Sequence, residues 1–439
     1  MDIMIAALMF PGLFLMIFLG IPIAFSLAVI SVMAGWFAFG PMVFQQLYGS
    51  IYSAASNYVL SSIPLFVLMG AILEKSGIAK NLFDAIQMWM GKLPGGLSLT
   101  TIAMAAVFAA ASGVVGAVEI MIGLMAIPAM QAYRYNNALI SGTICAGGSL
   151  GTIIPPTVIV VVYAALAQLS IGALFAAIIF PGLIMLSLFA LYVLGRCLLR
   201  PQDGPAVTTQ DVERPLGEKL GITFKALVPP IMLMIAVLGS LLGGIASPTE
   251  AAAVGVAGAL ILSLINGGLS ARSLNDSLAM TVRITAMILL IVAGGTMFTG
   301  IFAVNGGDRM VAEIAESLGG GQLSVILFFL AVTFVLGFVL DWTSIVLICV
   351  PIFTPIVRSL GIDPIWFAVM VLVTIQTSYL TPPMASSIFY LKSIAPADIT
   401  YGQMCRGVVP FIMAQLLTLA IVASFPAIAT WLPDRVVGF

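Results

Sequence analysis

Gly148-Ser-Leu-Gly-Thr-Ile-Ile-Pro-Pro156 and Gln376-Thr-Ser-Tyr-Leu-Thr-Pro-Pro383 each set small and hydroxyl-bearing residues directly before a Pro-Pro pair, deep inside apolar sequence. Proline has no N–H to give to the turn before it, so a helix must break at each pair. The pairs lie 227 positions apart; Pro128 and Pro355 share that spacing, as do Tyr163 and Tyr390, while Pro22 and Pro248 differ by 226. Two breaks at equivalent points of a duplicated chain imply an all-α integral membrane protein of two inverted repeats, with its binding site at the broken helices.

Composition sets the solvent. Of 439 residues 62% are hydrophobic and 8% charged, where a soluble domain carries about 25% charged. Apolar windows long enough for a hydrocarbon core of about 30 Å recur along the whole length. A net charge of −1 gives no sign of a nucleic-acid partner. Histidine is absent, which removes the commonest general base and metal ligand and argues against an enzyme. Cys145, Cys197, Cys349 and Cys405 stand singly, without the spacing of a disulfide framework or a zinc site. No cofactor is implied. Met1-Asp2-Ile3 opens acidic and turns apolar at once, unlike a secretory leader, so the start of the chain reads as retained membrane helices.

The apolar stretch 3–39 is too long for one span, and Gly20 and Pro22 mark two helices meeting there. Residues 81–90, of mixed polarity, read as a helix lying at the interface, and spans follow at 137–166 and 170–195. The polar stretch 200–219 divides the chain into a first repeat (1–197), a loop (198–224) and a second repeat (225–439). Arg196, Arg200, Arg214, Lys219 and Lys225 place that loop in the cytoplasm. An odd number of crossings per repeat then places both chain ends in the periplasm.

Some apolar segments are too short to cross. The arms 97–111 and 117–130, interrupted at Ser112-Gly113, hold about 14 residues each, roughly 21 Å at the helical rise. They read as a re-entrant hairpin over 97–131 that precedes the break at 148–156. Its counterpart is a hairpin over 322–357 with its tip at Asp341-Trp342-Thr343-Ser344, before the break at 376–383.

Carbonyls freed near Gly151 and Thr152, and hydroxyl oxygens, are hard ligands suited to a small cation such as Na⁺, and Ser378 and Thr381 offer the same chemistry in the other half. The N-termini of the half-helices carry partial positive charge and can hold a carboxylate. The plainer alternative is a pair of proline kinks in ordinary spans. Ser247-Pro248-Thr249-Glu250 has the form of a capping box, a structural role for Glu250. Glu119 falls near the start of a half-helix, where structural and site roles both stand. Asp341, an acid at membrane depth, is a functional candidate, whereas Arg134 and Arg358 read as snorkelling side chains.

Pro64-Leu-Phe-Val-Leu-Met-Gly70, Ala146-Gly-Gly-Ser-Leu-Gly-Thr-Ile-Ile-Pro-Pro156, Ala246-Ser-Pro-Thr-Glu-Ala-Ala252 and Leu380-Thr-Pro-Pro383 together resemble the large membrane subunit of tripartite ATP-independent periplasmic (TRAP) transporters over essentially the whole chain. The resemblance implies an elevator-type importer in the bacterial inner membrane, with scaffold and transport domains, driven by Na⁺. It implies two partners, a small four-helix membrane subunit and a periplasmic substrate-binding protein. It implies one Na⁺ site from Ser112 and Gly113 with backbone oxygens of Gly151, Ile154 and Pro155, and a second from Thr377, Ser378 and Thr381 against the tip around Asp341 to Ser344. Substrate is expected between the tips, near Gly116, Glu119, Asp341, Trp342, Thr343 and Ser344. Many relatives carry Ser-Gly-Ser at the first tip where this chain has Ser112-Gly113-Val114, one side-chain oxygen fewer. The variant is similar to relatives that move small organic acids such as keto acids, hydroxy acids or dicarboxylates. A stand-alone divalent-anion/Na⁺ symporter of related architecture is the nearest alternative, and a purely structural subunit leaves the matched breaks unexplained.

Overall fold

Hydrocarbon offers the backbone no water to bond, so a membrane chain satisfies its amides within helices. The computed structural model describes residues 2–112, 115–207, 215–317, 321–382 and 385–436, and the regular elements among them are all helical. The first half comprises α1 (Asp2–Phe18), α2 (Ile23–Phe39), α3 (Val43–Ser56), α4 (Ser62–Lys75), α5 (Ile78–Met90), α6 (Gly96–Ser112), α7 (Val115–Ala132), α8 (Asn137–Ser149), α9 (Val158–Ala167) and α10 (Ile171–Leu199). The second comprises α11 (Leu216–Leu242), α12 (Pro248–Ile265), α13 (Ala271–Val304), α14 (Gly307–Ser317), α15 (Gly321–Leu336), α16 (Trp342–Ser359), α17 (Pro364–Leu380), α18 (Ser386–Ile394), α19 (Tyr401–Ser424) and α20 (Ala427–Val436). Among the described residues seven helical stretches are long and apolar enough to cross a membrane; an eighth would be α4 with α5, bent by 66° between them.

The spacing of 227 recurs in the elements themselves. Moved on by that number, Val115–Ala132 falls on Trp342–Ser359, Asn137 on Pro364 and Ala167 on Ile394. The caps agree as well. Tyr135 N donates to Met130 O and Ile362 N to Val357 O, both at 3.0 Å, and Arg134 and Gly361 before them both have a left-handed backbone (φ 58° and 71°). Each is a Schellman-type helix end, reached by glycine in one half and by arginine in the other.

Local capping explains three differences from expectation. α11 starts at Leu216, inside the stretch read as loop, and lies on α5: Trp89 Nε1 donates to Thr223 Oγ1 at 2.8 Å and Lys219 Nζ to Met88 O at 3.3 Å. Arg358 Nη2 donates to Ala167 O at 2.7 Å, so its guanidinium closes the C-terminus of α9 instead of snorkelling. The second tip lies earlier than Asp341–Ser344: α15 ends at Leu336, residues 337–340 turn, and Asp341 caps α16. Ser247 and Glu250 do form the capping box, with Ser247 N donating to Glu250 Oε2 at 2.7 Å. The start of the inter-half segment is stitched to the first half by Arg196 Nε to Asp203 Oδ2 (3.0 Å) and Val207 N to Gly91 O (2.7 Å).

Candidate functional site

Both breaks reach one cavity. α8 stops at Ser149, a 3₁₀ turn over Leu150–Thr152 follows, and α9 restarts at Val158 behind Thr157, whose Oγ1 accepts from Val160 N at 3.4 Å. The carbonyls of Gly151, Ile154 and Pro155 accept no hydrogen bond from any described residue. In the second half α17 ends at Leu380 and α18 begins at Ser386. Thr377 Oγ1 donates to Val373 O (2.8 Å), Ser378 Oγ to Ile375 O (2.8 Å) and Thr381 Oγ1 to Thr377 O (2.7 Å). Each hydroxyl spends its proton one turn back and keeps oxygen lone pairs for an electropositive guest.

The cavity has a volume of about 480 Å³, within the range of small-molecule sites. Gly116 and Thr343, Gly151 and Ser378, and Thr152 and Tyr379 all line it, and the members of each pair are 227 positions apart. Much of the remaining wall is apolar, including Met280, Ile284, Met287 and Ile288 of α13. Among the described residues of the lining, Asp341 is the one carboxylate and there is no lysine or arginine. Its charge is already engaged: Oδ2 accepts from Thr343 N at 3.0 Å and Oδ1 from Ser344 Oγ. Asp341, Trp342 and Thr343 thus bring the N-terminus of α16 to the cavity, and Gly116 brings that of α7. Thr343 Oγ1 is buried without a partner.

Among the residues singled out in the sequence, Gly116, Gly151, Ser378, Asp341, Trp342 and Thr343 meet at this wall, while Ile154, Pro155, Thr377, Thr381 and Ser344 are not part of it. Gly113 and the side chain of Ser112 lie outside the described residues. Glu119 is fully buried and off the wall; its oxygens accept from Ser387 Oγ at 2.6 Å and Tyr379 OH at 3.2 Å.

Two features escaped the sequence reading. A Cβ at Gly337 would lie 2.1 Å from Ser378 Oγ, so only glycine lets the second tip rest on the second break. Behind the cavity, Gln376 Nε2 donates to Ser149 O (3.0 Å) and Ser149 Oγ (3.2 Å), and Gln415 Nε2 to Ser149 Oγ (3.3 Å), all three residues fully buried. Ser149 and Gln376 are themselves 227 apart, each six residues before the first proline of its pair; that register was the available signal.

A membrane-spanning helical chain whose two interrupted helices converge on one cavity is the architecture of a secondary transporter. The profile described as "Tripartite ATP-independent periplasmic transporter, DctM component" matches residues 10–428, and the chain belongs to that family. It is therefore a transporter subunit, not an enzyme, and a multi-pass protein of the bacterial inner membrane. It is 31% identical to the C4-dicarboxylate TRAP transporter large permease protein DctM of Pseudomonas aeruginosa, over 90% of this chain and 91% of that one. It is 29% identical to the sialic acid TRAP transporter large permease protein SiaM of Vibrio cholerae, over 90% of each. The isethionate TRAP transporter permease protein DctMQ of Oleidesulfovibrio alaskensis is 29% identical over 95% of this chain and 64% of its own length. Two solved structures share the fold: the Alcanivorax borkumensis YdaH transporter (17% identity, TM-score 0.63, 89% of each chain) and Neisseria gonorrhoeae MtrF (14%, TM-score 0.64, 89% of this chain and 84% of that one).

Proposed function

We propose that this chain is the Na⁺-coupled importing subunit for a small organic acid, a dicarboxylate or a keto or hydroxy acid, working by an elevator movement. The observation that carries the reading is a cavity lined by both broken helices, with, among the described residues, unpaired oxygens beside it and no basic side chain in it. An anion placed there needs positive charge from elsewhere. Bound Na⁺ at the breaks and the N-terminal ends of α7 and α16 are the sources at hand. One ion would take the carbonyls of Gly151, Ile154 and Pro155 with the first tip at Ser112 and Gly113. The other would take Thr377, Ser378 and Thr381, with the substrate carboxylate at Gly116 and at Asp341–Ser344.

The matched element boundaries favour two repeats, about 1–197 and 225–439; in the elevator reading they have opposite orientation, and their hairpins and breaks would move together against α13 and its neighbours. The names of the relatives support the substrate class, and the 64% coverage of DctMQ leaves room there for a second component. The partners proposed are a small membrane subunit of about four helices and a periplasmic binding protein. Reconstitution into vesicles tests the whole: uptake of labelled C4-dicarboxylate should require an inward Na⁺ gradient and both partners. Equal uptake with K⁺ in place of Na⁺ overturns the coupling, and uptake without the binding protein favours a stand-alone symporter.

Thr343 gives a sharper readout. Its hydroxyl has no partner to lose, so Thr343→Val should leave thermal stability unchanged or raised. Removal of a donor that meets the substrate carboxylate should raise KM by about 10–100-fold, the value of a charged hydrogen bond. An unchanged KM removes Thr343 from the site.

A further inference from the structure

Glu119 is a charge the sodium reading does not use. It is flanked along α7 by the cavity-lining Gly116 and Ile120, and its two donors sit at the wall: Tyr379 lines the cavity, as does Ser386 beside Ser387. A Cβ at Gly148 would lie 2.9 Å from Glu119 Oε2, so the carboxyl packs against the backbone of α8 just before the first break. That end of a helix carries partial negative charge and offers a carboxylate no compensation.

Among the described residues no basic side chain supplies it either. Of the elements packed on α7, α6 and the 150–152 turn carry no titratable residue, and α8 contributes only the thiol of Cys145. From α18 come the phenol of Tyr390 and Lys392, whose Nζ lies 5.7 Å from the centroid of the Tyr401 ring. α4 holds Glu74 and Lys75, the latter paired with Asp276 at 3.0 Å, and α17 adds the phenol of Tyr379. A carboxylate buried without a counter-charge is heavily penalised, and an acid kept at membrane depth marks an ion path. The N-terminal ends of α7 and α18 offer Glu119 only partial charge, and a proton would supply the rest.

We propose that Glu119 is a proton-binding site, loaded from cavity water past Tyr379 and emptied to water on the other side of the membrane during transport. The step is a simple transfer: an O–H bond of hydronium breaks, a carboxyl O–H forms, and release reverses it. The inference rests on the transport reading but not on the sodium sites, and the two fail separately.

The test uses the full complex in vesicles, with membrane potential clamped and Na⁺ equal on both sides. An acid-outside pH gradient should accumulate labelled C4-dicarboxylate several-fold in the wild type. Glu119→Gln, neutral, keeps one acceptor oxygen for one of the two hydroxyls of Ser387 and Tyr379 and offers the other an amide N–H to accept; it should lose that accumulation while responding to a Na⁺ gradient. No pH-driven accumulation in the wild type overturns the proposal whatever the variant does, and so does undiminished pH-driven accumulation in Glu119→Gln. A variant that loses the Na⁺ response but keeps the pH response makes Glu119 a sodium ligand and also overturns it. If Glu119→Gln does not fold, Ser387→Ala decides: loss of a donor to the ionised form should move the half-maximal pH of uptake upward at an unchanged Na⁺ response. An unmoved pH profile counts against the proposal. Failure of Na⁺-driven uptake in the wild type strikes the sodium reading alone.

Discussion

Thr381→Val is expected to raise the Na⁺ concentration for half-maximal uptake by about 10–100-fold, the cost of losing one oxygen to a charged partner. The substitution keeps the shape of the side chain and removes only Oγ1, which donates to Thr377 O at 2.7 Å and has lone pairs to spare. Its companion is Ser378→Ala rather than Ser378→Val. With Ser378 Oγ only 2.1 Å from where a Cβ on Gly337 would be, added methyls would push the second tip away and confuse ligand loss with overpacking. Both variants should also lose the part of thermal stability that NaCl confers over choline chloride, since an ion bound only by the folded state stabilises it by mass action. Wild-type Na⁺ dependence and wild-type salt-selective melting in both variants would remove the second ion site from α17. Loss in one alone would make that residue the ligand and leave the other a helix-end hydroxyl.

The breaks were legible because proline acts on its own backbone: Pro155 and Pro382 announce an interruption wherever they stand. The two helices on either side of the first expected tip were legible for a similar reason, since segment length is a local property. α6 and α7 run Gly96–Ser112 and Val115–Ala132 around the expected tip. The second tip was misplaced because 334–340, Phe-Val-Leu-Gly-Phe-Val-Leu, reads as continuous apolar helix. The turn that follows α15 rests at Gly337 against Ser378, a contact that sequence does not display. The Asp341 cap could have been read, because Asp before a helical run accepts from the second amide along. Helices apolar on all sides carry no periodic stripe to say which face is inside. The meeting of Ser149 with Gln376 and Gln415, and of Glu119 with Tyr379 and Ser387, was therefore hidden. Those contacts join residues 227 to 268 positions apart.

Gly142→Ala and Gly407→Ala should each prevent normal assembly. Lipid gives helices no hydrophobic reason to associate, so close crossings in a membrane depend on small residues that let backbones touch. α8 and α19 cross in that way. A Cβ at Gly142 would lie 2.1 Å from Gly407 O, and one at Gly407 would lie 2.1 Å from Ala138 O. Backbone carbonyls cannot swing aside as a side-chain tip can, so the helices must part along their length. Overpacking of this kind costs about 1–3 kcal/mol and sometimes more. The damage should not stop at stability. α8 leads straight into the first break, and the same pair of helices holds the bond from Gln415 to Ser149. Material that survives should therefore have weakened Na⁺-driven uptake as well as a lowered melting temperature. Gly195→Ala in α10 is the control, because a Cβ there meets nothing within 4 Å and alanine suits a helix better by about 0.5–1 kcal/mol. Melting temperatures for Gly142→Ala and Gly407→Ala no lower than that of Gly195→Ala would show that α8 and α19 do not cross this closely. The placement of the first break against α19 would then have to be redrawn.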